Sequence, residues 1–215
     1  MTMLAEWAPR HARAASPACV ATPAQTEGPY FVDERLQRSD IRVDPADGST
    51  KQGVPLTLRL SVSSISGGTS RPLAGAIVDI WHCDALGVYS DVTDPGFSTV
   101  GKKFLRGYQV TGANGAAEFI TIYPGWYEGR TVHIHFKVRT DPKSGPVREF
   151  TSQLYFDESI TDRVYERMPY AKNGRRRVKN EEDGIFRDSG NRLMLPLVEI
   201  AQGYSARFDI GLRTA

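Results

Sequence analysis

The sequence predicts an all-β protein, a β-sandwich or barrel of mostly antiparallel strands with long loops and an extended N-terminal arm. Three observations predict it. Short runs alternate apolar and polar residues with a period of two. Clusters of Gly, Pro and Asn separate those runs. The length, 215 residues, suits a single all-β unit.

Residues 1–25 are rich in Ala, Pro and Arg and carry no strong period, so they read as an arm; residues 26–215 read as one domain. The stretch TEGPYF (26–31) starts ordered structure with a Gly-Pro turn signal. In VPLTLRLSV (54–62), Leu56, Leu58, Leu60 and Val62 alternate with polar residues, as a half-buried strand requires. AGAIVDIWH (74–82) is a strongly apolar strand. GAAEFITI (115–122) follows an Ala-Asn-Gly turn signal. TVHIHFKV (131–138), EFTSQLYF (149–156), RLMLPLVEI (192–200) and YSARFDIGL (204–212) complete the set. The segment 158–184 breaks the pattern: it begins as a short helix and continues as a polar loop, and its GRRRVK run, balanced by NEED directly after it, reads as a solvated surface.

Composition narrows the function classes. A net charge of +2 is too small to argue for nucleic acid or a membrane surface as partner. No apolar run approaches 18 residues, so no membrane-spanning helix is expected. The two cysteines, Cys19 and Cys83, are expected as free thiols, and the N-terminus lacks the apolar core of a signal peptide. The cytoplasm is the expected location.

The stretch YEGRTVHIHFKVR (127–139) carries the chemistry. Val132, Ile134, Phe136 and Val138 form one face of a strand; His133, His135 and Lys137 form the other. Residues two apart on a strand leave the same face, roughly 6–7 Å apart at Cα, so two ring nitrogens can meet at one ion. Imidazole serves Zn, Cu, Fe and Ni alike, so the pair alone names no metal. Zinc would want a further Cys, His, Asp or Glu, whereas tyrosines are abundant nearby: Tyr89, Tyr123 and Tyr127. A bound cation can remove a phenol's proton at neutral pH. Two phenolates and a hydroxide neutralise a +3 ion, with two neutral imidazoles completing its shell. Asp79 and Asp84 flank IWHCD and are candidate supports for the ligands; His82 reads as a structural, hydrogen-bonded histidine. Two other readings stay open. One is a metal-free β-sandwich binding module with Trp126, Tyr127 and Tyr89 as an aromatic platform for an aromatic or carbohydrate ligand. The other is a cupin-like oxygenase, which wants a third histidine and a carboxylate near the pair.

The motifs DIWHCDALGVYS (79–90), FLRGYQVTGANGAAEFITIYPGWYEGRTVHIHFKV (104–138) and TSQLYF (151–156) resemble the catalytic domain of intradiol ring-cleavage dioxygenases, the family of catechol 1,2-dioxygenases and protocatechuate 3,4-dioxygenases. The resemblance runs from about Thr26 to Leu212. It implies a β-sandwich with one non-haem Fe(III) per chain, held by Tyr89 of G-x-Y-S, Tyr127 of P-G-x-Y, and His133 and His135 of H-x-H. Tyr123 falls on no ligand position. The resemblance places Arg130 against the bound catechol ring and Gln153 near it, with Tyr127, Arg130 and Gln153 in catalysis. Gly28, Pro29 and Tyr30 match a segment that borders the pocket, and Leu86 and Trp126 are the bulky candidates to line it. The implied partners are a catechol and O2, with no nucleic acid, no membrane and a possible homo-oligomer; the implied product is a cis,cis-muconate holding both oxygen atoms. In that chemistry the catechol displaces the Tyr127 phenolate, which takes one of its protons. Only about 25 residues precede TEGPYF, fewer than the long helical N-terminal region of catechol 1,2-dioxygenases, so the expected relatives are compact members.

Overall fold

The strand β1 (Pro55–Ser66) shows how pattern becomes architecture. Leu56, Leu58, Leu60 and Val62 recur every second residue, and all four are fully buried. In the computed structural model, which describes residues 20–140 and 149–213, one edge of β1 pairs in parallel with β11 (Gly203–Arg213). Its other edge pairs antiparallel with β7 (Ala116–Ile122) and then with β2 (Thr69–Pro72). β10 (Leu197–Ile200) pairs with the far edge of β11. A second, antiparallel sheet runs β6 (Arg106–Val110), β3 (Ile77–Trp81), β8 (His133–Arg139) and β9 (Glu149–Tyr155). β4 (Thr93–Asp94) and β5 (Phe97–Ser98) form a small separate hairpin.

The inner faces of the two sheets make the core. The β1 leucines share one buried cluster with Val78 and Ile80 of β3, Ile134, Phe136 and Val138 of β8, and Leu154 of β9. Full burial of each such side chain contributes roughly 1.5–3 kcal/mol. The outer face of the second sheet is buried as well, and it is polar: His133 and His135 on β8 and Gln153 on β9 are almost wholly excluded from solvent. Two segments cover it. One is a strap, residues 20–41, bonded to β9 through Gln25 N–H to Thr151 O (3.0 Å) and Ser152 Oγ–H to Pro23 O (2.7 Å). The other contains α1 (Glu158–Tyr165) and α2 (Gly184–Ser189), whose N-caps are Asp157 and Asp183.

The expected all-β fold is present, with differences that have physical reasons. β1 and β11 run parallel over ten registered pairs, a pairing between chain ends that no local pattern reveals. β6 and the edge strand β2 are additional; β6 lacks a clean alternation because its Arg106 is buried on the strap side, donating to Ser90 Oγ and to Tyr30 O. The strand expected from 192 starts only at Leu197, since 190–192 is a 3-10 turn and Pro196 cannot donate to a ladder. The GRRRVK run is not simply solvated: Arg176 is buried and ion-paired with Asp162 (2.8 Å) and Glu158. Most of the expected arm, residues 1–19 with Cys19, lies outside the described residues.

One buried hydroxyl ties the helical segment to the first sheet. Tyr170 accepts from Val54 N–H (2.9 Å) and donates to Tyr123 O (2.7 Å). Tyr170→Phe removes the group both depend on, and urea denaturation is expected to show a loss of about 1–3 kcal/mol.

Candidate metal centre

The cross-strand register builds the site. His135 on β8 stands opposite Trp81 on β3 and Gln153 on β9, and His133 stands opposite Tyr155. Trp81 stacks flat on His135, with ring centroids 4.9 Å apart and planes 6° from parallel, which fixes the imidazole in rotation. His133 Nδ1 lies 2.6 Å from Thr131 O. A carbonyl oxygen only accepts, so Nδ1 carries the proton and Nε2 presents a lone pair. That nitrogen is 3.0 Å from His135 Nε2 and 3.3 Å from the Tyr127 hydroxyl. His135 Nδ1 and the Tyr89 hydroxyl are buried without a hydrogen-bond partner of good geometry. Burial, with the nearby Arg130 charge, pushes both histidines well below their usual pKa, so both are neutral.

The two tyrosines arrive on loops. Tyr89 follows a tight turn at 84–88 in which Asp84 Oδ1 accepts from Leu86 N–H (3.0 Å) and Val88 N–H (3.1 Å). Tyr127 lies on the loop between β7 and β8. The loops touch backbone to backbone. Gly87, at φ +84°, would put a Cβ 2.3 Å from Trp126 O, and Gly125 would put one 2.4 Å from Asp84 O. Only glycine allows that approach, which gives both glycines of G-x-Y and P-G-x-Y a physical purpose. The Tyr89 and Tyr127 rings meet edge to face at 5.6 Å. Tyr30 of the strap stacks on Tyr89 at 4.5 Å and donates its hydroxyl to Asp94 Oδ2 (2.6 Å). Desolvation raises the Tyr127 phenol to about 12 and the Tyr89 phenol well above its usual value. Without a cation both stay protonated.

Arg130 completes the group. Its Nε donates to Asp183 Oδ2 (2.8 Å), its Nη2 donates to Gln153 Oε1 (2.5 Å), and its Nη1 lies 3.5 Å from His133 Nε2. Burial acts to lower its pKa, but attraction to Tyr127 and Asp183 outweighs this and the guanidinium stays charged. Gln153 Nε2 donates in turn to Thr26 O of the strap (2.9 Å).

Tyr89, Tyr127, His133, His135, Arg130 and Gln153 therefore converge, with Tyr30 beside them. Gly28 faces the same place: a Cβ there would sit 3.4 Å from His135 Cε1, while Pro29 is exposed. Leu86 and Trp126 lie apart from this cluster. Leu86 is 42% exposed at the tip of its turn, and Trp126 packs toward the main core and donates to Gly174 O (3.3 Å). Asp79 does not support a histidine; in register it stands opposite Lys137, two positions along β3 from the Trp81–His135 pair, and it pairs with Arg139. Asp84 supports the Tyr89 turn and pairs with Lys51. His82 is structural, bonded to Cys83 O and Thr121 Oγ1, and Tyr123 is a packing residue bonded to Thr161. Cys83 is a free, buried thiol. Sequence reading missed Trp81, Tyr155, Asn180 and Asp183. Trp81 was findable by register, as the residue opposite His135; Asp183 carried only a helix-start signal.

The donor set fits a hard cation of high charge. Two neutral imidazoles and two phenols share one water-poor place. Among the described residues no group of three or more His, Cys, Asp or Glu comes together, so the oxygen donors beside the pair are phenolic.

Known proteins resemble this chain in fold and sequence. The profile of a family described as "Dioxygenase" matches residues 26–178. The structure of an intradiol ring-cleavage dioxygenase from Tetranychus urticae is similar with a TM-score of 0.79 and 32% identity, covering 91% of this chain and 95% of that one. Catechol 1,2-dioxygenase 1 of Acinetobacter lwoffii is 29% identical over 156 residues, 62% of this chain and 45% of that protein. Chlorocatechol 1,2-dioxygenase of Pseudomonas putida is 28% identical over 149 residues, 61% of this chain and 52% of that protein. The chain spans about half the length of the curated relatives it matches.

The loop contact makes a test. Gly87→Ala must leave φ +84° and push the two loops apart. A destabilisation of about 1–3 kcal/mol in denaturant titration is expected, along with weaker retention of metal.

Proposed function

The chain belongs to the intradiol ring-cleavage dioxygenases, and from that premise we propose that it cleaves a catechol between its two hydroxyl-bearing carbons with O2, using ferric iron. One observation carries the reading: two buried imidazole nitrogens 3.0 Å apart, with the Tyr127 hydroxyl 3.3 Å from one of them, the Tyr89 ring 6.5 Å from that of His135 and a charged Arg130 facing them.

Tyr89, Tyr127, His133 and His135 would hold the iron. When bound, Fe(III) supplies the positive charge that makes phenolates of tyrosine and catechol at neutral pH and activates the ring toward O2. The chain's own groups divide the remaining tasks. His133 and His135 are neutral, rigid and locked by Thr131 O and by the Trp81 ring, so they keep the place fixed. Tyr89 is fully buried under Tyr30 and is suited to stay. Tyr127 is only partly buried and sits midway along the loop between β7 and β8, so its ring can swing and its Oη can take a proton from an arriving catechol. Arg130 faces the place where negative charge grows on the ring and stabilises it in a medium poor in water. Gln153 holds one edge of that guanidinium, and the strap with Gly28 and Tyr30 closes the wall beside His135.

A metal-free aromatic-binding module would not call for neutral histidine nitrogens facing each other in a buried place, since each loses hydration and the pair holds at most one hydrogen bond.

The purified, iron-loaded protein should be burgundy, from tyrosinate-to-iron charge transfer, and should consume O2 with catechol to give a product with muconate-type ultraviolet absorption. A colourless protein at full iron content would refute the iron assignment. Tyr89→Phe and His133→Ala should each lose the visible band. Arg130→Ala should keep the band and lower kcat by about 10²–10³-fold, the usual effect of removing one stabilising donor.

A further inference from the structure

We propose that Asp183 is the positioning residue that aims Arg130 at the substrate, an inference that rests on the catechol-cleaving reading above. Asp183 lies 53 positions beyond Arg130, at the N-cap of α2, and is buried. Its two oxygens face two structures. Oδ1 accepts from Ile185 N–H (2.8 Å) and Phe186 N–H (3.3 Å), capping the helix. Oδ2 accepts from Arg130 Nε–H (2.8 Å) and Thr131 N–H (2.9 Å).

The second pair of bonds is what orients the cation. A guanidinium is planar and offers five N–H donors in a fixed fork. Asp183 holds the Nε corner and Gln153 holds Nη2, so the plane is set at two points. Nη1 is left on the side of His133 Nε2, 3.5 Å away, facing the candidate iron ligands. Without Asp183 the guanidinium would be buried against neutral partners, and a buried unpaired charge reorients toward water. The same carboxylate fixes the turn that precedes β8. Thr131 N–H is on Asp183, Thr131 Oγ–H donates to Asn180 Oδ1 (2.6 Å), and Thr131 O receives His133 Nδ1–H. Gln25 Nε2 donates to Ile185 O (2.9 Å), so the strap is tied to the helix that presents Asp183.

The two roles of the carboxylate separate by substitution. Asp183→Ser keeps a good N-cap acceptor but withdraws the group that reaches Arg130. Asp183→Asn keeps shape and cap but removes the charge. Both variants are to be purified iron-loaded, and iron content, the visible band, steady-state kinetics with catechol and the melting temperature measured. The expected result is unchanged iron content and an unchanged band, with kcat/KM lower by about 10- to 100-fold, carried mainly by kcat. In an Arg130→Ala background the same Asp183 changes should alter kcat/KM by less than about twofold, because residues that act as a unit are not additive. The proposal is overturned if both variants retain wild-type kinetics, if their losses multiply in full with that of Arg130→Ala, or if both lose iron and fold together, which would make Asp183 structural only. A wild-type protein inert toward every catechol overturns the catechol reading itself, and the inference with it.

Discussion

Two neutral imidazole nitrogens held 3.0 Å apart, beside two phenols and out of contact with water, are the constraint on which the rest of the structure depends. Such a group of polar atoms is costly to bury unless partners satisfy it. The fold supplies partners or cover to several of these groups. Thr131 O takes the outer nitrogen of His133, Trp81 covers His135, and Asp94 takes the hydroxyl of Tyr30. What stays unsatisfied here is the Tyr89 hydroxyl and His135 Nδ1, while the two Nε2 atoms face each other beside the Tyr127 hydroxyl, the place that a cation would use. Trp81 Nε1, Tyr89 Oη and His135 Nδ1 belong to neighbouring rings and are all buried without partners, and such a concentration marks a site and not a packing fault.

That constraint explains features which otherwise look unrelated. β8 must be an inner strand, because both its neighbours contribute to the centre: Trp81 from β3, and Gln153 and Tyr155 from β9. The turn at 84–88 and the loop at 124–127 must touch backbone to backbone, because Tyr89 and Tyr127 reach the same place from different connections, and Gly87 and Gly125 permit it. The strap must cross the outer face of the second sheet, because His133 and His135 point there and not into the apolar core.

How much of this was legible in the sequence follows from the range of each interaction. The alternation around Val132, Ile134, Phe136 and Val138 states which face of β8 packs inward, and two histidines at a period of two then have to share the opposite face; those facts are local and readable. The spacing of G-x-Y and P-G-x-Y was readable as a motif, but why the glycines stand there was not, since it depends on a contact between residues 87 and 126. What covers the outer face of β8 was not readable, because the covering residues lie more than a hundred positions earlier in the strap or some fifty positions later, near Asn180 and Asp183. The parallel pairing of β1 with β11 was hidden for the same reason. β6 was missed because a buried arginine, Arg106, occupies a position where periodicity expects an apolar residue.

The second sheet is thus buried on both faces for opposite reasons. Its inner face carries Val78, Ile80, Ile134, Phe136 and Leu154 and supplies stability by removing apolar surface from water. Its outer face carries His133, His135, Gln153 and Tyr155 and gains nothing from desolvation alone. Exclusion of water there strengthens every charge interaction that remains. Arg130 shows how the fold uses that strength. Two edges of its guanidinium are committed to Asp183 and Gln153, so the charge is kept in place and kept positive. Its remaining edge is directed at the donor cluster, where new negative charge on a bound ring would meet it without a hydration shell to reorganise. The rigid apolar face is what allows the polar face to be held in so unfavourable an arrangement: strands fixed by leucines on one side cannot relax to separate two histidines on the other.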